Sequence, residues 1–151
     1  SYVPNNALCF FDINIRESYY TKELIENLLQ KANVFKINDE ELELVSKIFK
    51  LEGDRDSICS QLLDQYALRY LIFTAGSKFS SVYSKEEIST IETPKVKVVD
   101  TVGAGDSFSG AFVYSILTGK NLHEAHQSAV ETAAFVCTQN GAWPPYPQKQ
   151  R

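Results

Sequence analysis

The run Val98-Val99-Asp100-Thr101-Val102-Gly103-Ala104-Gly105-Asp106-Ser107-Phe108 constrains this chain more than any other stretch of its 151 residues. A β-branched segment, Lys95 to Val99, leads into a Gly-Ala-Gly turn. Phe108, Ala111, Phe112, Ser115 and Ile116 then recur at helical spacing. The pattern predicts a strand, a tight turn and an amphipathic helix. Such a turn lies on a helix N-terminus, where unpaired backbone N–H groups and the helix dipole attract an anion. Gly103 and Gly105 let the backbone approach a phosphate with no Cβ in between. A carboxylate at Asp106 repels the same ligand, which points to a chemical role, that of taking the proton from a hydroxyl that attacks the phosphate. Read by itself, Asp106 also fits a helix-start acid favoured by the dipole.

Two other phosphate-loop patterns do not fit. The chain contains no G-x-x-x-x-G-K-[ST]. A dinucleotide fingerprint would need glycine where Phe108 stands, and no second strand ending in an acid follows about 20 residues later.

The segment Asp100-Thr101-x-Gly103-Ala104-Gly105-Asp106 resembles the C-terminal signature of the ribokinase-like (PfkB-type) carbohydrate kinases. The resemblance implies that Gly103, Ala104 and Gly105 line an anion hole and that Asp106 is the catalytic base. Ala7 to Ile13 reads as a buried strand, and Phe11-Asp12-x-Asn14-x-Arg16 is similar to the fructokinase-like and ketogluconate-kinase-like branches. By that likeness Asn14 and Arg16 are sugar or phosphate contacts; a solvated loop with a surface Arg is the plainer alternative.

Leu24, Ile25, Leu28, Leu29 and Ala32 mark a helix, and Val34 to Ile37 a short strand. Asn38 and Glu41 then have the spacing of a capping box at the start of a helix carrying Leu42, Val45, Ile48 and Phe49. The family carries an Asn-x-x-Glu motif at this place, which implies that Asn38 and Glu41 act on magnesium through water; a cap and a metal contact do not exclude each other. Ile58, Cys59, Leu62, Leu63 and Tyr66 form another helical stripe.

Arg69 to Thr74 reads as a buried strand ending in Thr74-Ala75-Gly76. The family's Thr-x-Gly-x-x-Gly turn makes Thr74 and Gly76 nucleotide contacts, although Phe79 stands where the second glycine is expected. Phe79 to Tyr83 alternates like a hairpin strand. Gly119 marks a helix stop, and Asn121 caps a helix with Leu122, Ala125, Ala129, Ala133 and Val136 inward. His123 and His126 are expected on its exposed face. Cys137 to Ala142 resembles the family's closing element, which makes Asn140 and Gly141 nucleotide contacts. It also places Asp100 at a monovalent-cation site, with K+ the candidate ion.

Alternating strands and helices point to an α/β fold, and the resemblance implies the ribokinase-like three-layer α/β/α class with a mostly parallel sheet. It covers only the C-terminal part of the family's usual length. Residues 1–151 therefore read as the nucleotide-binding and catalytic part of a sugar kinase whose N-terminal sugar-recognition part is absent. Ser1 is not an initiator Met, so the natural start is expected upstream. The implied activity is ATP-dependent phosphorylation of a sugar hydroxyl, fructose first among the candidates, with ATP and Mg2+ required. This chain by itself is expected to be inactive. A non-catalytic nucleotide-binding or regulatory domain of the same fold is the alternative. The net charge of −4 disfavours a nucleic-acid partner, and no apolar run reaches membrane length. Three scattered cysteines without a C-x-x-C pair fit a cytoplasmic protein. A homodimer of the complete protein is compatible with the sequence.

Overall fold

The computed structural model describes residues 9–12, 21–97 and 103–139. The chain divides into two compact units, residues 1–90 and 91–151. In the first unit β1 (Phe10–Asp12), β2 (Val34–Asn38) and β3 (Tyr70–Thr74) are parallel neighbours. The strand β4 (Phe79–Tyr83) returns antiparallel to β3, and β5 (Ile88–Glu92) completes the order β1-β2-β3-β4-β5. Parallel strands need crossovers, and helices supply them. Here α1 (Lys22–Lys31) precedes β2, while α2 (Asp39–Phe49) and α3 (Arg55–Gln65) lie between β2 and β3 in sequence.

Strand side chains alternate between faces, and cross-strand partners share one. Phe35 and Ile37 of β2 pair with Leu71 and Phe73 of β3, and Leu71 pairs with Tyr83 of β4. All five join one core with Ile25 and Leu29 of α1, Leu42 and Val45 of α2, and Cys59 and Leu62 of α3. Phe11 extends this face by stacking on Phe35 at 5.2 Å between centroids. On the other face Val34, Ile72 and Val82 are also fully buried. Burial on both sides explains why these strands read as continuous apolar runs. It also explains why β4, expected to alternate, is buried at four consecutive positions.

A polar network ties α3 to β4. The Tyr83 hydroxyl donates to Asp56 Oδ1 at 2.6 Å and accepts from Arg55 Nε at 3.3 Å. Burial, ahead of the Asp56 hydrogen bond, raises the Tyr83 hydroxyl well above the usual phenol range. Burial likewise pushes the Cys59 thiol up to about 12.

In the second unit α4 (Ala104–Leu117) packs on α5 (Leu122–Cys137). Their link follows from Gly119 at φ 95°: its N–H donates to Ile116 O, and the next N–H, of Lys120, donates to Ser115 O at 2.9 Å. Asn121 and Glu124 then form a reciprocal cap for α5.

Two expectations change. Lys95 to Lys97 are irregular rather than the start of a strand, with Val98 and Val99 outside the described residues. Pro94 removes a ladder donor, and Val96 is an exposed residue between two exposed lysines, so nothing offsets the cost of pairing there. The first strand, Phe10–Asp12, starts after Cys9 and is half-buried rather than buried; residues 7, 8 and 13 of the expected strand lie outside the described residues.

Leu71→Ala empties a fully buried position in the middle of the first unit's core. It is expected to cost about 2–5 kcal/mol, read as a lower urea midpoint at unchanged m-value.

Candidate active site

The described helices begin in two ways. Thr21, Asn38, Asp54 and Asn121 each cap a helix with a side-chain oxygen. Among the described helices only α4 starts without one: its cap is Gly103, which has no side chain. Gly103 sits at φ 85°, a left-handed conformation that favours glycine. Its carbonyl accepts from Ser107 N at 2.9 Å, which closes the first turn. The leading N–H groups of α4 have no intrahelical acceptor. Gly105 and Asp106 are exposed, and Asp106 is the one acid of the first turn. The second unit thus presents backbone donors, positive dipole and a solvent-facing carboxylate within one turn. That arrangement suits holding a phosphoryl group beside a proton acceptor.

His126 packs against the first turns of the same helix. Its place in the sequence suggests an exposed face, yet it is fully buried, whereas His123 is exposed. The spacing explains the difference: Leu122, Ala125, His126, Ala129 and Val130 form one buried i, i+3, i+4, i+7, i+8 stripe that includes position 126. The His126 ring meets Phe108 edge-on at 6.1 Å. Burial, with a smaller contribution from His123, lowers its imidazole to about 4.

In the first unit, Asn38 and Thr74 end β2 and β3 as cross-strand partners. The C-terminal ends of parallel strands are where α/β sheets bind ligands. Asn38 Oδ1 accepts from Glu41 N at 2.8 Å, and Glu41 Oε1 accepts from Asn38 N at 3.0 Å. The expected capping box is therefore formed, and it holds the Glu41 carboxylate in a nearly buried position. Gly76 occupies the hairpin turn between β3 and β4 at φ 59°, where Ala75 N donates to Phe79 O and Lys78 N to Ala75 O. Phe79, in place of a second glycine, packs its ring 6.0 Å from Phe73 and beneath the Arg55 guanidinium at 4.8 Å. At that position this chain has a packed aromatic residue rather than an open backbone.

Asn14, Arg16, Asp100, Asn140 and Gly141 lie outside the described residues. Among the described residues no three His, Cys, Asp or Glu side chains gather as a metal cage. Mg2+ takes one or two protein oxygens and completes its shell with water and phosphate; Asn38 and Glu41 carry side-chain oxygens of that kind. Sequence patterns do not reveal the grouping of Arg55 with its aromatic partners, because nothing local links residues 55, 73, 79 and 83. No described helix is long and apolar enough to cross a membrane.

The sequence matches the pfkB family of carbohydrate kinases over residues 2–149. The chain belongs to that family. It is 33% identical to fructokinase-2 of Solanum lycopersicum over 153 residues, spanning 93% of this chain and 45% of that protein. The nucleoside kinase of Methanocaldococcus jannaschii superposes with a TM-score of 0.78 at 29% identity, covering 91% of this chain and 44% of the other. An E. coli structure described as a putative ribokinase II, in complex with ATP and Mg2+, superposes at 0.71 with 25% identity, covering 80% and 38%. The fold class is thus ribokinase-like α/β/α with a mostly parallel sheet, and this chain spans less than half the length of these proteins.

His126 generates an acid-sensitive contribution to stability. Its folded value of about 4 lies below the ordinary 6.5. Between those values the unfolded chain binds a proton that the folded chain refuses. Stability is therefore fullest above pH 6.5 and falls as pH drops toward 4, by roughly 3 kcal/mol from this group. His126→Leu should remove that part of the acid limb, read as a smaller difference in unfolding free energy between pH 7 and pH 4.5 than in the parent.

Proposed function

We propose that this chain is the nucleotide-binding, base-bearing part of a PfkB-type sugar kinase that transfers the γ-phosphoryl of ATP to a sugar hydroxyl, with fructose the first substrate to test. The observation that carries the reading is the uncapped start of α4, opened by Gly103 and bearing an exposed Asp106. In the reaction the hydroxyl oxygen bonds to the γ-phosphorus as the bond to the bridging oxygen of ADP breaks. The hydroxyl proton goes to Asp106. The N–H groups of the Gly103-Ala104-Gly105 turn stabilise charge on the moving group, so positioning and electrostatics supply the catalysis.

In this reading Thr74, Gly76, Asn140 and Gly141 are nucleotide contacts. Asn14 and Arg16 reach the sugar or its phosphate. Asn38 and Glu41 hold Mg2+ through water, and bound Mg2+ offsets the charge of the phosphates. Asp100 belongs to a K+ site. Support comes from the family match, the fructokinase likeness, and the E. coli relative solved with ATP and Mg2+. We assign the sugar-recognition part to the portion of the relatives that this chain does not span, and the working protein to the cytoplasm. The 151-residue chain alone should then bind MgATP weakly and show no sugar-dependent ADP release.

Asp106→Asn, made in the protein together with its sugar-recognition part, should lower kcat at least ~100-fold while nucleotide affinity holds or improves. A coupled ADP-release assay checks this, and near-normal turnover would remove Asp106 from the base role. In the same protein Glu41→Gln should preserve the cap, because an amide oxygen still accepts from Asn38 N, but should raise the magnesium requirement. A magnesium titration that runs parallel to the parent would leave Glu41 as a cap alone.

A further inference from the structure

Phe79, Ser81 and Tyr83 alternate along β4 on the face that carries Leu71 and Phe73 of β3. The first residue of α3 reaches across this face. The Arg55 guanidinium carbon stands 4.8 Å from the Phe79 ring centroid and 5.3 Å from that of Phe73. Its Nε donates to the Tyr83 hydroxyl at 3.3 Å, and that hydroxyl donates to Asp56 Oδ1 at 2.6 Å. One side chain thus joins the start of α3 to both strands of the β3–β4 hairpin. Residues 76 to 78 of the hairpin turn are exposed. Ala75 N donates to Phe79 O and Lys78 N to Ala75 O, so Phe79 is the residue that closes the turn. A Cβ placed on Gly76 would meet nothing within 4 Å, which leaves the outer side of the turn open.

The helix dipole disfavours a cation at the first position of α3. Asp56 does not offset this, because its exposed carboxylate stands 3.6 Å from Arg55 Nε, too far for a hydrogen bond. A methionine would cover the same rings without bringing charge to the helix start. What the guanidinium adds is a flat cation stacked on two rings and oriented by the Tyr83 hydroxyl. We infer that Arg55 is a positioning residue for the nucleotide: through Phe79 it holds the Gly76 turn in one shape before the ligand arrives. A glycine at position 79 would offer no ring to hold. Ordering the turn in advance removes part of the entropy cost of binding. This assignment rests on the reading of Thr74 and Gly76 as nucleotide contacts.

The test joins amide hydrogen exchange to calorimetric MgATP titration of the full chain, with circular dichroism confirming the fold of each variant. Arg55→Met should speed exchange at the Ala75 and Lys78 amides while Leu71 and Ile72 of β3 keep the parent rates. It should also weaken MgATP ~3- to 10-fold, the scale of one lost stacked cation. Phe79→Leu should do the same, and the double variant should lose no more than either single one, because both changes remove one contact. Phe79→Tyr, which keeps a ring beneath the guanidinium, should bind MgATP within ~2-fold of the parent. If Arg55→Met lowers unfolding stability yet leaves turn exchange and MgATP affinity at the parent values, Arg55 only packs and the assignment fails. If the losses from Arg55→Met and Phe79→Leu add in full, the two residues act separately and it fails as well. If the parent binds no MgATP at any concentration reached, the reading of Thr74 and Gly76 falls and takes this one with it.

Discussion

Parallel pairing of β2 with both of its neighbours sets the geometry of the first unit. Parallel strands cannot be joined by a tight turn, so each return between β1, β2 and β3 is made through helices and these three strands end at the same edge. Residues far apart in sequence are thereby paired at that edge, 12 with 36 and 38 with 74. One face of the strands is committed to the Phe35, Ile37, Leu71 and Phe73 core, and this fixes the register. A slip of one residue would turn Lys36 and Asn38 into that core.

Helix starts show how one backbone problem receives two solutions. At Asn38 and Asn121 a side chain and its partner glutamate satisfy the opening donors within the protein. At Gly103 no side chain is available, and α4 starts without a side-chain cap. A serine or asparagine there would cap α4 from within the chain. The left-handed backbone at φ 85° disfavours that replacement.

Much of this is legible from local pattern. Both reciprocal caps, the helix stop at Gly119 and the stripes of α1 to α5 are decided by residues within a turn or two of each other, which is the range that spacing can report. What stays hidden depends on partners distant in sequence. The alternation of Lys95 to Val99 has no apolar face to bury at Val96, which is exposed. Pairing His126 with His123 places it outward, although its own stripe already turns it inward. The packing of Phe79 against Phe73 and Arg55 links a hairpin to a helix start 24 positions earlier, and no window around residue 79 contains that information. The chemistry proposed for the glycine turn is legible for the opposite reason, since turn, acid and helix follow one another without interruption.

The short connector between α4 and α5 bears on the order in which the molecule assembles. Thr118 to Asn121 closes with donors to Tyr114, Ile116 and Ser115, all within a few residues. Bringing these helices together therefore confines a very small loop, whereas joining β2 to β3 confines the whole of α2 and α3. Contacts of low sequence separation form fastest in a collapsing chain. The helix pair is thus closed by a connector as short as that of the β3–β4 hairpin, and bringing it together costs far less chain entropy than joining β2 to β3.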